Sequence, residues 1–238
     1  MKFWQFSTKP GAGIVKDSPP KTGLALLADV VARNWWELVQ LNFLVLLCCL
    51  PLVTIPAALV ATARICVLVL EDRPVYLGRD FFEAFLQRFW KATALGLAAA
   101  VTIGLSGYAA FIFLQAARTS IVLALPLTIS AVTTVFLAIA AVYAFVLLAM
   151  RDQPVGLLLK RALLGALARP LPALAAFGFI ALLWVLHVLF YPVSIFMPVL
   201  INFSFGMLAV VFGVHQATVR LLALEGANRS ATWAGGSA

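Results

Sequence analysis

The sequence predicts an all-α, polytopic membrane helix bundle, and three observations carry that expectation. Of its 238 residues, 64% are hydrophobic and only 11% charged, with a mean hydropathy of +1.06. A soluble domain carries roughly 25% charged residues, so this chain cannot cover itself with a polar surface. Residues 38–63, 92–117, 119–150 and 170–219 contain no Asp, Glu, Lys or Arg. Each run exceeds the ~20 apolar residues that cross a hydrocarbon layer about 30 Å thick. The runs also lack the strict alternation of a β-barrel. The formal net charge of +8 gathers at the ends of the apolar runs, as positive-inside bias requires, so no nucleic-acid partner is expected.

Residues 1–22 are rich in Gly, Pro, Ser and Lys and read as a loose cytoplasmic tail, with no apolar stretch of signal-peptide type. Residues 23–222 form one membrane domain, and 223–238 read as a second loose cytoplasmic tail. LALLADVV (24–31), followed by Arg33, Trp35 and Trp36, has the pattern of an interfacial amphipathic helix with tryptophans at headgroup level. From Trp36 to Leu70 a single helix would measure about 52 Å, too long for one modestly tilted span. Pro51 removes a helical hydrogen bond, Pro56 suits a first turn, and Thr54 is placed to cap the second arm. The chain is expected to turn here, either as two spans or as a re-entrant hairpin.

Charge parity then orders the rest. Arg73, Arg79, Arg88 and Lys91 mark 72–91 as cytoplasmic, and Arg151, Lys160, Arg161 and Arg169 do the same for 151–169. The turns near 116–120 and 191–198 carry one charge and none. Spans near 93–116, 121–149, 170–190 and 197–220 follow. The expected count is about six membrane segments with both termini cytoplasmic, or five if 36–70 is one kinked span. A four-residue echo, Asp72-Arg-Pro-Val75 and Asp152-Gln-Pro-Val155, would place both loops on one face.

Chemistry-bearing residues are sparse. There is no acid between Glu83 and Asp152 or between Asp152 and Glu225, whereas proton-coupled carriers place carboxylates inside the bundle. No HExxH, GxSxG, Walker A or GxGxxG pattern occurs. Neither an enzyme nor a cofactor or metal site is expected, and Cys48, Cys49 and Cys66 read as packing residues. The intramembrane polar candidates are Arg64, Asn42, His187, Asn202 and His215. Arg64 lies about 12 Å from Asp72 along a helix, so it either snorkels to the interface or faces a polar cavity. The two histidines and two asparagines are interhelical hydrogen-bonding candidates, and His187 and His215 could meet in the bundle. Gly96, Ala100 and Gly104 form a small-residue stripe fit for close helix approach.

Two cytoplasmic segments read as amphipathic elbow helices. In RDFFEAFLQRFWKAT (79–93), Phe82, Phe85 and Phe89 recur at i, i+3, i+7 beside Arg88. In GLLLKRALLGALARP (156–170), Lys160 and Arg161 flank an apolar face. Each is either an interfacial elbow or a docking surface for a partner.

NFLVLLCCLPLVTI (42–55) resembles the N-terminal signature of the bacterial YesL-like family, which reads roughly N-L-L-W-L-L-C-S-L-P-I-V-T-I-G. FFEAFLQRFWKAT (81–93) resembles its F-x-x-F-K-x-N-F-K-x-A-T stretch. Two departures stand out: Pro56 occupies the family's Gly position and Arg88 its Asn position. The resemblance implies a cytoplasmic-membrane protein encoded beside carbohydrate ABC importers and sugar-responsive regulators, with no catalytic residues to carry over. Two functions follow as expectations. One is an accessory or regulatory subunit for carbohydrate uptake, partnering importer subunits or a membrane sensor. The other is a small-solute permease acting itself, alone or as a homo-oligomer, with the polar candidates lining a path.

Overall fold

The computed structural model describes residues 23–117 and 120–235, with side chains described as far as 223. Eight helices follow in order: α1 Leu24–Arg33, α2 Trp35–Cys48, α3 Ile55–Leu70, α4 Leu77–Ala116, α5 Ala124–Met150, α6 Val155–Ala168, α7 Pro170–Leu189 and α8 Phe203–Gly235. No strand occurs among the described residues. Five segments are long and apolar enough to cross a bilayer: Leu52–Leu70, Leu77–Ala116, Ile121–Met150, Pro170–Leu189 and Pro198–Ala223. This is the architecture of a multi-pass membrane protein. The 1–22 tail lies outside the described residues. The backbone of α8 continues to Gly235, so 223–235 extend the last helix instead of forming a loose tail.

The chain does turn at the prolines. α2 ends at Cys48, a single 3-10 turn covers Leu52–Thr54, and α3 starts with Pro56 in its first turn. Arg33, just before α2, meets Asp72, just after α3, at 3.0 Å, so the two arms run antiparallel. The arms are unequal, however. α2 has 14 residues, about 21 Å, short of a full crossing. Thr54 does not cap α3; its hydroxyl donates backward to the carbonyls of Cys48 and Pro51. A hydroxyl can do this because the last carbonyls of α2 have no intrahelical partner.

α3 is the centre of the bundle. It is apolar except at Thr62 and Arg64, and Ala57, Ala58, Val60, Ala61, Ile65, Cys66 and Val67 are almost wholly buried; a helix of that composition needs protein or lipid around most of its surface. Here the neighbours are α2, α4, α5 and α8. α3 ends in a Schellman turn. Asp72 takes a left-handed conformation (φ 55°), Arg73 N–H donates to Leu68 O at 3.0 Å and Asp72 N–H to Val69 O at 3.3 Å. Asp tolerates that conformation better than most residues, and Pro74 then stops the helix.

α4 is 40 residues long, about 60 Å, twice the hydrocarbon thickness. The aromatic elbow is therefore not a separate helix but the first turns of this rod. α3 crosses it at Gly96, where an added Cβ would lie 2.4 Å from Pro56 Cβ. The small-residue stripe serves only there: Ala100 and Gly104 are exposed. Residues four apart advance 40° around a helix, so the stripe drifts off the contact within two steps. The second elbow, α6, lies against α5, and Gly165 sits under the Tyr143 ring, whose hydroxyl donates to Arg169 O at 2.7 Å.

Candidate functional site

Asn42 is fully buried at the middle of α2, facing the start of α8. There the chain departs from α-geometry: Pro198–Asn202 forms a π turn before α8 proper begins at Phe203. Such a break frees backbone groups that must be satisfied where no water reaches. Asn42 satisfies four of them. Its Nδ2 donates to Pro198 O (3.0 Å) and Val199 O (2.6 Å), and its Oδ1 accepts from Phe203 N–H (2.9 Å) and Ser204 N–H (3.0 Å). Only a primary amide presents donor and acceptor on one short fork. Asn202 is also buried, and its Nδ2 has no partner among the described residues.

The histidines occupy opposite ends of the α7–α8 hairpin. Pro172 backs onto Gly213 and Ile180 onto Gly206, so the helices are antiparallel and His187 lies about 22 Å along α7 from the level of His215. They cannot meet. His215 Nε2 lies 3.1 Å from Glu71 Oε1 and lines a largely apolar cavity of about 690 Å³ between α1, α7 and α8. His187 packs edge-on against Trp184, and its Nδ1 is buried without a partner among the described residues.

Arg64 opens into a second cavity, of about 320 Å³, between α3 and the first turns of α4. This cleft lies among the charged residues at the joined ends of α3 and α4, a place that both readings of this arginine allow. Arg88 projects into the same cleft, as do Arg73, Arg79, Asp80, Glu83 and Gln87. These two cavities share no residue, and neither includes Asn42, Asn202 or His187. Asn42 and Asn202 thus meet at the start of α8, whereas Arg64 and His215 line two different cavities.

The elbow faces are rotated from the sequence expectation. Phe81 is fully buried, and Phe85 and Phe89 pack against the core behind it, each ring meeting the next at 5.6–6.3 Å. The outward set is Phe82 (43% exposed), Leu86 (68%) and Trp90 (81%). Both sets are spaced i, i+4, i+8, so aromatic spacing alone could not select between them. Of the earlier docking candidates, Phe82 faces outward, whereas Phe85, Phe89 and the cleft residue Arg88 do not. In α6, Lys160 is exposed and Arg161 is 5% exposed, donating to Gln153 Oε1. Lys91 reaches across to Asp152 at 2.6 Å. The Lys91 hydrogen bond, helped by the charges of Lys91 and Arg88, holds the Asp152 carboxyl below the usual carboxylate value.

Sequence reasoning missed Arg73, Arg79, Glu83 and Gln87 as neighbours of Arg64, and Leu86 and Trp90 as the outward face. The first set becomes visible only once α3 is laid antiparallel on α4. Among the described residues no group of three or more His, Cys, Asp or Glu could hold a metal ion.

A family model described as a protein of unknown function, DUF624, matches residues 38–109. This is the YesL-like family whose signature residues 42–55 resemble, and the match takes in Asn42, the proline hairpin, Arg64 and the elbow. No curated protein and no solved structure matches the chain.

Proposed function

We propose that this chain is an accessory or regulatory subunit of a carbohydrate uptake system in a bacterial cytoplasmic membrane, with both termini cytoplasmic, and that it performs no catalysis. The observation that carries the reading is the length of one apolar face. Phe82, Leu86, Trp90, Leu97, Val101, Leu105, Tyr108 and Ile112 are all exposed along one side of α4. From the first to the last is about 45 Å, and a typical 20° tilt shortens that only to about 42 Å, against roughly 30 Å of hydrocarbon. The surplus lies at the end that carries Arg79, Glu83 and Lys91. Three large side chains therefore stand on a rigid post at or beyond the bilayer surface, where lipid tails do not cover them. Aromatic anchors on rigid elements are what protein interfaces use. The YesL-like resemblance, which implies importer neighbours, supports a transport subunit as the occupant. The separation of Arg64, His215 and the Asn42–Asn202 pair favours this reading over a permease, which needs its polar residues in a row.

The test is co-purification from native membranes with Leu86→Ala/Trp90→Ala. The variant should insert and stay monodisperse, yet lose an identified transport ATPase or permease that the wild type retains. Equal recovery of that subunit by both proteins removes the elbow as its docking face.

A further inference from the structure

The cleft between α3 and α4 has the makings of a ligand site. Four arginines (Arg64, Arg73, Arg79 and Arg88) face it against two carboxylates, Asp80 and Glu83. Those charges are not matched pair by pair. Arg73 is held by Glu71 at 3.0 Å, and Arg79 leans on the Tyr76 ring at 5.6 Å and loosely on Asp80 at 3.7 Å. Asp80 accepts the Tyr76 N–H at 2.9 Å, and Glu83 accepts from Gln87 at 3.1 Å. Arg64 and Arg88 have no hydrogen-bonding or ion-pair partner among the described residues, and Arg88 Nε is buried and orphaned. Holding two guanidinium groups in one cleft with no hydrogen-bonded partner among the described residues, one of them with its Nε–H buried, costs the fold stability. A buried N–H left unmet is costly, and like charges repel.

We infer that this cleft binds a phosphate group, held bidentately by Arg64 and Arg88 with Arg79 or Gln87 closing over it. Guanidinium forks match the planar spacing of phosphate oxygens. The cavity, about 320 Å³, lies at the small end of ligand pockets, roughly 300–1,000 Å³, enough for one phosphate with a small substituent. The phosphate belongs either to an anionic lipid headgroup or to a soluble phosphorylated compound.

Two measurements on the full chain in detergent separate these sources. Thermal unfolding is followed in inorganic phosphate and in chloride of equal ionic strength. With phosphate at ten times its Kd the Tm should rise by roughly 3–6 °C, and Arg88→Gln should abolish the rise while leaving the Tm in chloride unchanged or higher, since repulsion is relieved. In parallel, native mass spectrometry counts lipids retained from vesicles of phosphatidylglycerol and phosphatidylethanolamine. Retention of phosphatidylglycerol by the wild type, lost in Arg64→Gln or Arg88→Gln, assigns the site to a headgroup. A phosphate response without such retention assigns it to a soluble ligand. If wild-type protein shows neither, the inference is overturned, whatever the variants do.

Discussion

Replacing Asn42 by Leu keeps the forked shape of the side chain and removes its amide, which makes it the sharpest probe of the helix break. Four backbone groups lose their partner at once: the carbonyls of Pro198 and Val199 and the N–H groups of Phe203 and Ser204. Interhelical hydrogen bonds in membrane proteins average about 0.6 kcal/mol each, and buried groups left unmet cost about 1–3 kcal/mol. Part of the loss is recovered if the π turn relaxes into regular α-helix and pairs the groups internally. Four bonds at about 0.6–1 kcal/mol give a loss of roughly 2–4 kcal/mol, a large share of a net stability of about 5–15 kcal/mol. Unfolding of the purified protein by SDS in mixed micelles reads this directly. Asn42→Asp should be intermediate, because a carboxylate accepts from Phe203 and Ser204 but cannot donate to the carbonyls. Should Asn42→Leu unfold within about 0.5 kcal/mol of wild type, the break does not depend on this amide.

Two further outcomes follow from the packing and the ion pairs. Gly96→Ala pushes a methyl to 2.4 Å from the rigid Pro56 ring and should cost about 1–3 kcal/mol as overpacking; adding Pro56→Gly should restore most of it, and no rescue would place the strain elsewhere. The depressed Asp152 carboxyl contributes stability above the unfolded carboxylate value of about 3.9 and loses it as pH falls through its lower folded value. The advantage of wild type over Asp152→Asn in thermal unfolding should therefore be full at pH 7 and vanish in strong acid; an advantage independent of pH would contradict the pairing with Lys91.

Composition made the bundle legible, because lipid imposes a length and an apolarity that any spanning helix must obey. Pro51 and Pro56 located the hairpin for the same reason: a missing N–H and a fixed φ act locally. What could not be read was rotation. Whether Phe81 or Phe82 faces inward depends on which side of α4 meets α3, and both faces of 81–90 carry aromatics. Arg64 likewise looked solitary, since its neighbours Arg79, Glu83 and Arg88 come from the next helix, 15–24 positions later. Asn42 was singled out as a polar intruder, but its purpose, holding a break some 160 residues away, exists only in three dimensions. The stripe at Gly96, Ala100 and Gly104 failed beyond its first member because helical drift carries i+4 neighbours off a single crossing point.

Solute movement in proteoliposomes bears most directly on whether this chain assists transport or conducts it. The purified protein alone should move no sugar, and adding it to its co-purified importer subunits should raise ATP-dependent uptake, an increase lost with Leu86→Ala/Trp90→Ala. Sugar moving down its gradient through vesicles that contain this protein alone would contradict the accessory role and establish it as the conduit.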